Sequence, residues 1–338
     1  KYTTLGHSGI TISQICLGGM SLVNPPLIST NGPFPEETQA VIARAYEQGI
    51  NFIDTANCYA SGTSEEYIGR ALKSLSIPRD KVVLASKVYF NEGIYQKMIN
   101  REIEGTLKRL DTDYLDLYII HRFDYTTPIE ETMEALDALV KAGKVRAIGA
   151  SEMYAYQLHN MQVVAEQNNW TKFTSMQCHY NLLYRENERE MIPVCRQFNM
   201  ALTPKPLASG HLTRSTWDSS SKRSITDAVM KSKYDAFREN DEAIIHRVAK
   251  IAQDHGTPMA RIALAWQWRA ELPTYYWMPK PERVDDAVAA LDVTLTEEEL
   301  AFIEEPYVAH ELVGPLARPG EKPLAGTTDP NKNNQPGR

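Results

Sequence analysis

Leu115–Gly149 reads LDLYIIHRFDYTTPIEETMEALDALVKAGKVRAIG. Its first six residues, Leu115–Ile120, form a short run that is apolar rather than alternating, as a strand buried on both faces is. Ile129–Ala142 then places apolar residues at helical spacing and is closed by Gly143, a residue type suited to ending a helix. Val145–Gly149 is a second short apolar run. A strand, a crossover helix and a strand in roughly 30 residues is the size of one βαβ step.

The same rhythm extends both ways. Upstream lie strands at Ile15–Leu17, Asn51–Asp54 and Val82–Ser86. The helices between them cover Glu36–Gln48, Ser64–Leu75 and Tyr95–Leu110, and Ser64 is expected to cap its helix ahead of Glu65 and Glu66. Downstream come a helix at Tyr154–Asn168, a strand at Phe173–Gln177, a helix at Arg185–Phe198 and a strand at Met200–Thr203. The series ends with a helix at Met259–Arg269, a last strand at Tyr275–Met278 and a helix at Arg283–Leu291. Tyr2–Ser13, two short runs around His7-Ser8-Gly9, reads as a hairpin. About eight strand–helix units predict an α/β fold, a (β/α)8 TIM barrel with an N-terminal β-hairpin and extra C-terminal segments. An open doubly wound sheet would usually carry G-x-G-x-x-G after its first strand, and none stands there. Arg214–Asp241 is long and polar and is expected to be a loop over the active face. One barrel domain should span residues 1–314, with an irregular tail at 315–338 rich in Pro, Gly, Asn and Lys.

The 338 residues carry a formal net charge of −7, which argues against nucleic acid or an acidic membrane surface as partner. No apolar run approaches the roughly 20 residues of a membrane span, and the polar start at Lys1 does not read as a signal peptide. Cys16, Cys58, Cys178 and Cys195 lie far apart with no C-x-x-C pair. Reduced thiols in a cytoplasmic protein are the simple reading, with no disulfide framework and no metal site. A homo-oligomer is compatible with all of this.

In a barrel, chemistry sits where strands end. Here those ends bring Asp54 with Tyr59 five residues on, then Lys87, His121, Ser151-Glu152 and Gln177. Each alone also reads as a turn, rim or core residue; together they describe a reaction. A free tyrosine has a pKa of about 10, too high for a good acid at neutral pH, and a neighbouring lysine lowers it. A buried carboxylate keeps that lysine charged and oriented. A histidine can donate to a carbonyl oxygen. The set suits delivery of a proton to a carbonyl oxygen while a hydride, which no side chain supplies, arrives from a cofactor. A Schiff base on Lys87 is the competing chemistry.

These residues lie in stretches that resemble a known family. NFIDTANCYASGTSEEYIGRAL (Asn51–Leu72), LASKV (Leu84–Val88), DYLDLYIIHR (Asp113–Arg122), VRAIGAS (Val145–Ser151) and SMQCHYN (Ser175–Asn181) are similar to the motifs of the aldo-keto reductases. The likeness runs from about Tyr2 to Gly314. It implies NADPH-dependent reduction of an aldehyde or ketone, with Tyr59 as general acid, Lys87 and Asp54 tuning it, and His121 orienting the carbonyl. Ser151 and Gln177 would hold the nicotinamide carboxamide. Pro206-Leu207-Ala208-Ser209-Gly210 resembles the loop that wraps the pyrophosphate, with Arg214 reaching a phosphate oxygen. Lys280 and Arg283 would meet the 2′-phosphate of NADPH/NADP+, and Gly19, Met20 and Glu152 complete the cofactor set. The substrate would be a small carbonyl compound, with Met20, Tyr89, Phe90, Arg122 and Phe123 at the rim. The resemblance also admits a non-catalytic, nucleotide-binding regulatory barrel like a potassium-channel beta subunit.

Some positions depart from the family pattern. Lys205 stands where an aromatic and a serine are usual, Glu152 where an asparagine is common, and Tyr275–Lys280 lacks a glycine-rich turn. Lys205 and Lys280 are expected to compensate with charge, which NADPH titration of Lys205→Ala would test: unchanged affinity would sink the idea.

Overall fold

The computed structural model describes residues 1–22, 36–88, 95–217, 233–268, 274–276 and 280–310. It opens on an antiparallel hairpin of β1 (Tyr2–Thr4) and β2 (Thr11–Ser13). Next come β3 (Ile15–Gly18), β4 (Phe52–Asp54), β5 (Val83–Val88), β6 (Leu115–Ile120), β7 (Val145–Ser151), β8 (Phe173–Cys178), β9 (Ala201–Pro204) and β10 (Thr274–Tyr276). These form an eight-stranded sheet in the order β10-β3-β4-β5-β6-β7-β8-β9, and each neighbouring pair is parallel. The two outer strands, β9 and β10, come within 8 Å of each other between Cα atoms, so the sheet curls round on itself. This is the expected (β/α)8 barrel.

The pleat of the strands decides what faces inward. Cys16, Phe52, Val83, Ala85, Leu117, Ile119, Ala147 and Ala201 pack together with Leu5 and Ile12 of the hairpin. They lie at alternate positions on their strands, as the period of two requires. Two residues further along, the same rows carry Asp54, Lys87 and His121; Ser151 stands four beyond Ala147, with Gln177 as its register partner on β8. The hairpin closes the opposite end. Gly6 packs so tightly there that a Cβ would stand 2.2 Å from the carbonyl oxygen of Thr174. The other strand faces, Leu84, Tyr118, Ile120 and Met176 among them, form a larger core with the helices.

α1 (Glu36–Glu47), α2 (Thr63–Ser74), α3 (Tyr95–Leu110), α4 (Ile129–Lys141) and α5 (Ala155–Gln167) fall where periodicity puts them. Four differences have physical causes. Ser64 is not the cap of α2: that place is held by Gly62, and the Ser64 hydroxyl turns inward. The helix expected over Arg185–Phe198 shrinks to α6 (Met191–Gln197) behind a short 3-10 turn. Pro193 has no N–H, and its ring conflicts with a helical carbonyl at Arg189. The expected loop Arg214–Asp241 ends early, because a helix starts at Arg238 and runs to Asp254. Its polar composition hides a stripe of Ile244, Ile245, Val248, Ile251 and Ala252, all buried. A further helix, Glu297–Glu304, is opened by a capping box of Thr296 and Glu299, a signature present in the sequence. Residues 218–232 of the expected loop, Trp277 and Met278 of the last strand, and the tail at 315–338 lie outside the described residues. Among the described residues no helix is long and apolar enough to cross a membrane.

Candidate active site

Asp54 ends β4 and Lys87 stands near the end of β5, in adjacent strands with Asp54 opposite Ala85. Both side chains are buried. The Lys87 ammonium donates to Asp54 Oδ2, to the Thr55 carbonyl at 2.8 Å and to the Tyr59 hydroxyl at 3.1 Å. An ammonium has three protons, and three acceptors are in place, so this lysine is held in one geometry. Burial alone would lower its pKa. The charges of Asp54 and Tyr59 outweigh that and hold it well above the ordinary value.

Tyr59 is half-buried and reaches Lys87 from a turn, Tyr59–Gly62, with an unusual backbone. Ala60, Ser61 and Gly62 follow it with φ of 47°, 55° and 93°, three left-handed residues in succession. Non-glycine residues held there cost on the order of 1–3 kcal/mol each, and such strain gathers at functional sites. His121 follows β6. Its ring meets the Tyr59 ring edge-on at 5.9 Å, and its Nδ1 lies 3.5 Å from the Cys58 sulfur. Burial, then the charges of Lys87, Lys205 and Arg122, push the His121 pKa well below 6.5, so the imidazole is neutral at physiological pH. A phenol receiving a hydrogen bond from an ammonium, beside a neutral imidazole, can give up its proton to an oxygen bound between them.

Behind this group lies a second layer that the sequence reading did not find. The Ser64 hydroxyl is 2.8 Å from that of Thr55 and donates to the Gly19 carbonyl at 2.9 Å, tying the ends of β3 and β4 to α2. Glu65, which reads in sequence as a solvated residue of a helix's first turn, is fully buried. It accepts from Ser86 Oγ at 2.6 Å, from Thr106 Oγ1 at 2.9 Å and from Arg109 Nε. The Arg109 side chain passes so close to Gly62 and Gly105 that a Cβ at either would stand within 3.0 Å of it. Gly62 and Gly105 were the available signal, but only the fold shows what they make room for.

Toward β7 and β8, Ser151 and Gln177 are register partners. The Ser151 hydroxyl is fully buried and makes no hydrogen bond among the described residues. A buried hydroxyl without a partner costs free energy that a polar ligand group would recover; the residues therefore fit a carboxamide here. Glu152 and Lys205, two separate departures from the family pattern, turn out to be one feature: Lys205 Nζ pairs with Glu152 Oε1 at 2.7 Å. Burial works against the Glu152 carboxylate, but Lys205 and then Lys233 hold its pKa down to about 2. Lys205 also feels the charges of Tyr59 and Lys87, so the pair shares one field with Tyr59 and Lys87.

The remaining expected cofactor residues stand after β3, β9 and β10 in the chain. Gly19 is buried and Met20 is exposed. Within the turn after β9, Pro206 and Leu207 lead into Ala208, Ser209 and Gly210, whose φ values of 47°, 56° and 103° bend the chain sharply. Arg214 folds back so that its guanidinium lies 3.9 Å from where a Cβ of Gly210 would be. Lys280 is exposed and caps the helix Pro281–Ala290. Arg283 sits in that helix's first turn, where a cation opposes the dipole, and Asp286 lies 3.6 Å from it as a partial counter-charge. No contact among the described residues joins Lys280 or Arg283 to Tyr59, Lys87 or His121. Phe123 and Arg122 are half-buried; Tyr89 and Phe90 lie outside the described residues.

A family model described as the aldo/keto reductase family matches residues 14–307. The versiconal hemiacetal acetate reductase of Aspergillus parasiticus is 38% identical over 354 residues, covering 95% of this chain and 100% of that protein. An aldo-keto reductase of Alternaria alternata is 39% identical over 340 residues, 91% of this chain and 92% of its own. One from Fusarium vanettenii is 38% identical over 346 residues, 93% and 92% respectively.

Proposed function

This chain belongs to the aldo/keto reductase family, and from that premise we propose that it reduces an aldehyde or ketone to the alcohol with NADPH, through a single barrel domain at 1–314. The family supports oxidoreductase chemistry on small carbonyl compounds. The observation that carries the finer reading is the Lys87 ammonium, held between Asp54 Oδ2, the Thr55 carbonyl and the Tyr59 hydroxyl at 3.1 Å.

When bound, the nicotinamide supplies the hydride. Ser151 and Gln177 would hold its carboxamide, and Gly19, Met20, Glu152, Pro206, Leu207, Ser209, Gly210, Arg214, Lys280 and Arg283 would contact the rest of the cofactor. The substrate oxygen sits between Tyr59 and His121. The neutral imidazole donates to it, and Tyr59 passes it the phenolic proton. Lys87 stabilises the phenolate left behind, and Asp54 keeps Lys87 charged and in place. The same arrangement disfavours a Schiff base on Lys87, since that needs a neutral amine and this one is held protonated.

Titration with NADPH and with NADH, followed by reduction of 4-nitrobenzaldehyde, tests the reading. Tight NADPH binding is expected, with Tyr59→Phe binding it equally and losing about 10²- to 10⁴-fold in kcat, the range of positioned acid catalysis. Full activity in Tyr59→Phe would overturn the assignment. NADPH binding with no reduction would favour the non-catalytic, nucleotide-binding regulatory barrel, and failure to bind either nucleotide would overturn both readings.

A further inference from the structure

We propose that Cys58 is a positioning residue for His121: its thiol donates to Nδ1 and so places the imidazole proton on Nε2, the nitrogen that would donate to the carbonyl oxygen. The inference rests on the role given to His121 above.

The contact is Cys58 Sγ to His121 Nδ1 at 3.5 Å, a separation suited to a hydrogen bond involving sulfur. A neutral imidazole carries one proton, and the partner of one nitrogen decides which nitrogen holds it. An imidazole nitrogen accepts well, while a thiol sulfur accepts weakly and its S–H donates weakly, so the favoured direction is S–H to Nδ1. The reverse direction, Nδ1–H to sulfur, becomes strong only for a thiolate. Burial pushes the Cys58 thiol upward against the charges of Lys87 and Arg122, which keeps it protonated. His121 is itself neutral, so its tautomer matters. Cys58 also adjoins Tyr59 in the chain, and its carbonyl accepts from Ser61 N at 3.4 Å within the strained turn. One short segment therefore fixes the acid and, through the thiol, the proton position of its neighbour. Among the described residues Cys58 is the cysteine that contacts His121, while Cys16, Cys178 and Cys195 belong to the apolar cores, so this role is specific to one of the four.

The test is NMR of the protein labelled with ¹⁵N-histidine, the His121 ring signals being assigned by their loss in His121→Asn. In the wild type Nδ1 should be unprotonated and Nε2 protonated. Cys58→Ser keeps a donor and should keep that tautomer and the activity. Cys58→Ala should show a mixed tautomer and a kcat about three- to tenfold lower, as for loss of one modest hydrogen bond, with NADPH affinity unchanged. A wild-type spectrum with Nδ1 protonated overturns the proposal, as does a Cys58→Ala spectrum identical to the wild type. The spectra are read without substrate or turnover. A failure of the reductase reading would therefore appear as inactivity of all forms with the tautomer pattern intact, which is distinguishable.

Discussion

Arg109→Met removes the counter-charge of a carboxylate that has nowhere else to go. The Glu65 side chain is 0% exposed and that of Arg109 25%. Breaking a buried pair by removing one partner costs about 3–5 kcal/mol, because the remaining charge stays desolvated. Two hydroxyls, of Ser86 and Thr106, still donate to Glu65, and Arg109 is partly wet. The loss should therefore lie near the lower end, about 3 kcal/mol. For a chain of 338 residues that corresponds to a fall in Tm of roughly 4–5 °C. Glu65→Gln, which keeps the hydrogen-bonding shape, should cost about 1.5–3 kcal/mol. The double variant Glu65→Leu/Arg109→Met leaves no orphaned charge, so its cost should fall short of the sum for Glu65→Leu alone and Arg109→Met alone by about 1–3 kcal/mol. Urea unfolding followed by circular dichroism at neutral pH measures all of these. A loss below about 1 kcal/mol for Arg109→Met, or strict additivity in the cycle, would refute the claim that this pair is a coupled support beneath the active face.

Other expectations follow from single positions. Ala60→Gly relaxes a left-handed residue at φ 47° and should raise stability by about 0.5–1 kcal/mol despite the entropy glycine adds to the unfolded chain; an unchanged or lower Tm would show the turn is not strained. Glu152 is held at about 2 against an ordinary 4.5, so it contributes stability above pH 4.5 that is lost as pH falls toward 2. Glu152→Gln should thus be less stable near neutrality, by up to about 3 kcal/mol, and should unfold less steeply in acid. A Glu152→Gln variant whose Tm falls between about pH 5 and 2 as steeply as that of the wild type would count against the pairing with Lys205. Gly19→Ala forces a Cβ to 2.9 Å from Ser64 Oγ and 3.0 Å from the Asp54 carbonyl; it should cost about 1–3 kcal/mol and lower kcat, which thermal unfolding and steady-state assays would read together.

The fold was largely legible because βαβ rhythm is written in local patterns: apolar runs for strands, 3.6-residue spacing for helices. The helix Arg238–Asp254 escaped because its ends are strongly polar, and α6 is shorter than its apolar spacing suggests because Pro193 stands near its start. Asp54, Tyr59, Lys87 and His121 were legible because each stands at or after the end of a strand, and the fold gathers strand ends. What could not be read was pairing across distance. Glu65 looks like any acidic residue in a first helical turn until α3 brings Arg109 over it. Glu152 and Lys205 read as two unrelated departures, since nothing local says that β7 and the end of β9 face each other. The cap was misassigned for a related reason: Ser64 has the right chemistry, but the chain enters α2 through the left-handed Gly62, which frees the hydroxyl for Gly19 and Thr55.

Ser86 and Lys87 are consecutive, yet one hydroxyl turns out toward α2 while the next side chain turns in toward Tyr59. Structural upkeep and chemistry thus occupy opposite parities of the same six-residue strand. An evolving lineage can then revise the inward positions to change what is bound without renegotiating the outward ones that hold the helices. The two inventories are exchanged only by inserting or deleting a single residue in β5, which would present a serine to the substrate and drive a lysine against Glu65. Retargeting this enzyme by substitution at inward sites and in loops should be tolerated. Length changes within the strand should not.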